Sequence, residues 1–229
     1  MAKTLFSNWL SGRFTILLVL LPLCLLLAPL LGESLVGRFV LNVFLTLLLL
    51  SGVYAAGLKP KEKMAAWILV IVGVSVRWAG HTTGIVAFNV AGDILAALFF
   101  GYVTVALFLY VIRAVRVDMN VLSAALCVYL LLGMTFALLY TGLDLVNPSS
   151  FAIPEDIKGQ ETSKFIGRIE DFVYFSLVTM TTTGYGDIRP VSHVARSLTI
   201  LEILIGQLYL VVMIARLVSS WGTGSSSKQ

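Results

Sequence analysis

Thr179-Met180-Thr181-Thr182-Thr183-Gly184-Tyr185-Gly186-Asp187 lies between two apolar segments and is itself too short to cross a bilayer. It continues an aromatic and apolar run, residues 172–180, that reads as a helix, and Pro190 follows shortly after. Gly184 and Gly186 stand two apart. Glycine tolerates left-handed backbone that bulky residues resist, so this spacing permits a strand of alternating hand. Successive carbonyls of such a strand point to one side. Non-helical backbone survives at membrane depth only where it lines water or is buried in protein.

The surrounding composition agrees with membrane depth. Of 229 residues, 59% are hydrophobic and 12% charged, against about 25% charged in a soluble domain. Apolar runs use up most of the length and leave no room for a large soluble domain. The net charge of +4 sits in short loops, where it sets topology, so no nucleic-acid partner is implied. Cys24 and Cys127 lie inside apolar runs and form neither a disulfide framework nor a metal pattern. No nucleotide loop, zinc pattern or catalytic constellation is present, so no enzyme and no cofactor are expected.

The chain reads as an all-α membrane protein with six transmembrane helices, over 14–31, 39–56, 64–79, 85–112, 119–141 and 194–218. A re-entrant helix over 167–181 leads into the loop 182–186. Pro22 and Pro29 kink the first run, which is too long for a signal-peptide core and lacks a clear cleavage pattern. The fourth run exceeds a bilayer crossing and must tilt, bend or extend beyond it. Residues 142–165 form a polar external loop.

Charge sets the orientation. Lys3, Arg13, Lys59, Lys61, Lys63, Arg113, Arg116, Arg216 and Lys228 share one side with two acids, Glu62 and Asp118. The other side holds seven basic residues and eight acids, with Arg77 and Arg196 assigned there. The positive-inside bias then places both termini in the cytoplasm of a multi-pass cell-membrane protein. Trp9, Trp67, Trp78 and Trp221 fall at helix borders, as interface anchors do.

Residues 182–186, Thr-Thr-Gly-Tyr-Gly, resemble the selectivity filter of the tetrameric potassium channel superfamily, and the resemblance covers roughly residues 119–218. It implies that carbonyls of Thr182, Thr183, Gly184, Tyr185 and Gly186 replace the hydration shell of a potassium ion, with the Thr182 hydroxyl below them. Potassium would be held at Thr182, Thr183, Gly184 and Tyr185. One strand cannot ring an ion, and the motif occurs once, so a homotetramer is implied. The domains expected are a cytoplasmic start at 1–13, a four-helix sensor-like unit at 14–116, a pore unit at 117–218 and a flexible tail at 219–229. No ligand-binding domain is expected after Val218.

Departures from the family pattern locate the informative residues. Tyr174 and Phe175 replace two pore-helix tryptophans, one of which holds the aspartate after the filter. Phe175 has no donor, so Asp187 must find another partner or stay hydrated. Val178 stands where some members carry an acid, and Thr183 replaces a commoner valine. Glu202 is a carboxyl inside a membrane helix, which is costly unless it is paired or wet. We expect it to hydrogen-bond the pore helix or filter base, bracing the filter together with Tyr174 and Asp187; a bond to a neighbouring hydroxyl without effect on conduction is the rival. Gly206 falls at the family's hinge glycine, with close helix packing as the alternative. Helical spacing then points Gln207, Leu210, Ile214 and Val218 at the inner cavity.

Four helices ahead of a pore pair resemble the voltage-sensor layout in helix count only. No Lys or Arg lies between Ile85 and Ile112, whereas a sensor needs about three to four gating charges per subunit. Steep voltage gating is not expected. Asp93 and Arg77 flank a short turn and can form an intramembrane pair. Arg113, Arg116 and Arg216 can meet anionic lipid headgroups, and His81 and His193 read as exposed border residues. The expected function is passive potassium conduction, with two rivals: a weakly selective cation channel, or a non-conducting membrane sensor or subunit.

Overall fold

The computed structural model describes residues 14–31, 35–55, 60–114, 117–154 and 169–225. Expectations placed on 1–13, Lys59, Arg116, the loop 155–168 and 226–229 lie outside them, as do those on the side chains of Lys61, Lys63, His81 and Trp221.

Helices dominate. They are α1 (Thr15–Leu31), α2 (Leu35–Ala55), α3 (Pro60–Thr83), α4 (Val86–Arg113), α5 (Met119–Val146), α6 (Ile169–Met180) and α7 (His193–Ser225). Two short strands, β1 (Phe151–Ala152) and β2 (Arg189–Pro190), pair antiparallel, with Phe151 opposite Pro190. They pin the segment after α5 to the segment before α7.

Local chemistry explains several ends. Pro60 takes the first position of α3, where its missing N–H is no loss. Asp118 caps α5, its side chain accepting from the Val121 amide at 2.9 Å. The turn expected at 80–84 is shorter, because α3 runs on to Thr83. The hydroxyls of Thr82 and Thr83 bond back to the carbonyls of Trp78 and Ala79, and the Gly84 amide fills the Gly80 carbonyl at 2.9 Å. Gly84, at φ 69°, then reverses the chain. Helix α5 continues five residues past Thr141 to Val146 before Asn147 ends it, so the loop begins later than expected. Likewise α7 passes Val218 and ends at Ser225; once a helix is nucleated, each added residue costs little.

Among the described residues, three helices are long and apolar enough to cross a membrane: Ala87–Arg113, Met119–Val146 and His193–Ser219. Among the described residues, the apolar parts of the first three helices are shorter, at Thr15–Cys24, Val43–Tyr54 and Ala66–Gly80.

Helix α4 packs along α5 of the same chain, and only residues 114–118 join them. The buried core runs continuously from Leu17 and Leu48 through Phe99, Phe100 and Leu107 to Leu131 and Leu138. Glycines let α3 and α4 touch: a Cβ on Gly92 would lie 3.1 Å from the Cα of Arg77, and one on Gly80 would lie 2.4 Å from Oδ1 of Asn89. Apolar side chains also face outward in number, including Ile200, Leu204, Leu208, Val211 and Val218 on α7. So large an exposed apolar surface calls for lipid or another chain.

Candidate functional site

The short helix α6 buries Phe172, Phe175, Ser176 and Thr179 on one face, the i, i+3, i+4, i+7 stripe of a helix laid against a core. Tyr140 of α5 sits among the rings of Phe151, Phe172 and Phe175, with centroids 5.3 to 6.3 Å from its own. These rings pack α6 against α5 and the segment at β1. Gly133 of α5 lets α6 approach closely, since an added Cβ there would meet the Leu177 side chain at 3.2 Å.

At the end of α6 the chain changes hand in alternation. Thr182, Gly184 and Gly186 have φ of 57°, 58° and 78°. Left-handed backbone is costly for any residue with a Cβ, so Thr182 holds a conformation that its neighbours must stabilise. Its amide donates to the Thr179 carbonyl at 3.0 Å, and the Thr183 amide to Val178 at 3.0 Å. The Thr181 and Thr183 hydroxyls lie 2.9 Å apart. The first amides of the loop thus satisfy carbonyls that the helix end leaves open. Residues 181–186 are all exposed in the single chain.

Flanking contacts join residues singled out from the sequence. The Tyr174 hydroxyl donates to Oδ2 of Asp187 at 2.6 Å, and the Ile188 amide donates to Oδ1 at 2.8 Å. The Tyr174 hydroxyl holds the Asp187 carboxyl below its ordinary range; partial burial opposes this and the Ile188 amide assists it. Glu202 of α7 is fully buried. It accepts from the Tyr140 hydroxyl at 2.6 Å and is hydrogen-bonded to Ser176 of α6. Ser176 is also 2.8 Å from the Gly133 carbonyl oxygen. Tyr140, Ser176 and Gly133 escaped the sequence reading. A faint signal existed, since Gly133 and Tyr140 lie seven apart on one face of an apolar helix.

On α7, Gln207 donates to the Met180 carbonyl at 3.1 Å, the last residue of α6. A Cβ on Gly206 would meet Met180 at 3.5 Å, an ordinary contact, so packing alone does not require glycine there. Ile214 and Val218 are exposed, whereas Leu210 is half-buried against the chain's own core. The exposed stripe passes through Val211 in place of Leu210 and keeps Ile214 and Val218 of the expected list.

Farther away, Arg77 and Asp93 form the expected ion pair, with Asp93 buried. Arg216 departs from the headgroup role expected of it. Its guanidinium donates to the carbonyls of Ile112 and Ala114, capping the end of α4 from α7.

Residues 124–221 match a family model described as "Ion channel". "Two-pore potassium channel 4" of Arabidopsis thaliana is 36% identical over 90 residues, 39% of this chain and 30% of that protein. "Protein LctB" of Bacillus caldotenax is 27% identical over 128 residues, 56% of this chain and 92% of that protein. "Two pore potassium channel a" of Oryza sativa subsp. japonica is 25% identical over 104 residues, 45% of this chain and 25% of that protein. The match therefore spans under a third of either plant channel. No solved structure matches the chain.

Proposed function

We propose, from the premise that this chain belongs to the potassium channel superfamily, that it conducts potassium passively as a homotetramer. The carrying observation is the alternation of hand at Thr182, Gly184 and Gly186. A strand so wound turns consecutive carbonyls to one side, as dehydration of a bare cation demands. Thr182, Thr183, Gly184, Tyr185 and Gly186 are the proposed ion ligands. Four copies about an axis would cover the exposed filter and the apolar stripe of α7 through Val211, Ile214 and Val218, with the half-buried Gln207 above them, its amide on the Met180 carbonyl.

In this reading all of α1 to α5 and α7 cross the membrane and α6 re-enters it. The proposed division keeps 1–13 cytoplasmic, 14–116 as a sensor-like unit without gating charges, 117–218 as the pore and 219–229 as a cytoplasmic tail that starts helical. The short 114–118 joint seats each sensor-like unit beside its own pore half. Tyr174, Asp187 and Glu202 brace the filter, and Gly206 serves as a hinge. The C-terminal carbonyls of α6 face the cavity and favour a cation there.

The weakly selective alternative draws on Phe175 and Val178, which supply no polar support behind the filter. Reversal potentials of the purified chain in liposomes under mixed potassium and sodium separate the two. A shift tracking potassium alone supports selectivity, one insensitive to the exchange supports the weak filter, and no flux from a well-folded tetramer refutes conduction.

A further inference from the structure

The Glu202 carboxyl lies where α5, α6 and α7 meet, with no exposure to solvent. Oε2 accepts from the Tyr140 hydroxyl at 2.6 Å. Oε1 is hydrogen-bonded to Oγ of Ser176. The same Oγ is 2.8 Å from the carbonyl oxygen of Gly133. A serine hydroxyl carries one proton, and a backbone carbonyl can only accept. If Ser176 gives its proton to Gly133, the bond to Oε1 must be made with a proton from the acid. Every contact is then satisfied in order: Glu202 to Ser176, Ser176 to Gly133, and Tyr140 to Glu202. An ionised carboxylate instead makes one of the two Ser176 contacts a meeting of acceptors.

Charge balance points the same way. Among the described residues no Lys, Arg or His lies within ion-pair distance of Glu202. The titratable groups facing it are phenols of α5, Tyr140 in contact and Tyr129 farther off. On α6 its partner is Ser176, and on α7 the Thr199 hydroxyl reaches Tyr140. All are neutral at ordinary pH. An unpaired charge at this depth is costly, and a protonated acid avoids that cost.

We propose that Glu202 is a neutral carboxylic acid whose proton clamps the pore helix to the outer and inner helices, making Glu202 a positioning residue for the filter. Its role in conduction rests on the channel reading; its protonation does not.

Infrared spectra of the full chain in lipid at neutral pH read the proton directly. We expect a protonated-carboxyl band that shifts in deuterium oxide, disappears as pH is raised and is absent from Glu202→Gln. The difference spectrum isolates it from Asp93. Should Glu202→Gln fail to assemble, Ser176→Ala removes the acid's acceptor, and the band should move to higher frequency. Absence of the band, or a band unmoved by these changes, overturns the proposal. In flux assays Glu202→Gln, neutral and equal in size, should retain wild-type selectivity and lose any alkaline decline, while Glu202→Ala should lose selectivity. A Gln variant as damaged as the Ala variant overturns the neutral clamp. No flux from wild type would refute the channel reading, and the infrared result would still decide the proton.

Discussion

Gly184→Ala tests the backbone argument at its centre. A Cβ on Gly184 meets nothing within 4 Å in the chain, so the substitution introduces no clash there. What it opposes is the φ of 58°. Left-handed backbone costs an L-residue with a Cβ about 1–2 kcal/mol. In a ring of four copies the penalties sum to about 4–8 kcal/mol. At about 1.4 kcal/mol per factor of ten, the conducting conformation loses about a thousandfold in population or more. Two matched controls carry the same added methyl. Gly84 has φ 69° and open space, so Gly84→Ala should cost the same in backbone yet leave selectivity alone. Gly142 has open space inside a helix, so Gly142→Ala should be neutral or stabilising by roughly 0.5–1 kcal/mol. The assay is potassium and sodium flux from liposomes, with oligomer integrity checked on the same samples. Wild-type potassium flux from Gly184→Ala would refute the reasoning, as would equal loss of selectivity in Gly84→Ala.

Tyr174→Phe should raise the pH at which filter stability falls on acidification. The Asp187 carboxyl is depressed in the folded chain, so its contribution is present above the unfolded value, about 3.9, and lost as pH falls through the folded one; inactivation rates across acid pH report it, and an unchanged profile would count against the bond. Asp93→Asn or Arg77→Gln alone should destabilise by about 3–5 kcal/mol at most, less for the partly exposed Arg77, and the double substitution should recover much of that in denaturant or thermal unfolding. Tyr140→Phe keeps the aromatic packing but removes the donor to Glu202, costing about 1–3 kcal/mol per chain in the same unfolding assays. Recordings from the purified chain in plain lipid should show a shallow conductance–voltage relation, since α4 carries no basic residue before Arg113; a steep one would restore a sensor role.

Much of this chain is legible in its sequence because apolar runs and glycine spacing follow local rules of hydrophobicity and backbone. Helix order follows from apolar runs, and the position of the loop follows from its glycines. Boundaries are less legible: α3 runs on to Thr83, where the Gly84 amide fills the Gly80 carbonyl, and α5 runs on to Val146, where the Asn147 amide fills the Leu143 carbonyl. Those ends depend on which donor reaches each last carbonyl, and composition does not report that.

Pairing across the chain needed the tertiary structure. An acid at position 202 announces that a partner must exist, because a carboxyl in apolar surroundings demands one. It does not say that the partners are Tyr140 and Ser176, 62 and 26 residues away. Similarly, Phe175 announced a lost donor, and only the turn of α6 put the neighbouring Tyr174 hydroxyl on Asp187. Leu210 and Val211 differ by about 100° around one helix, and packing against the core rather than periodicity chose between them. Local rules of backbone and hydrophobicity are written residue by residue, whereas the facing of two helices is settled by how all their side chains fit at once.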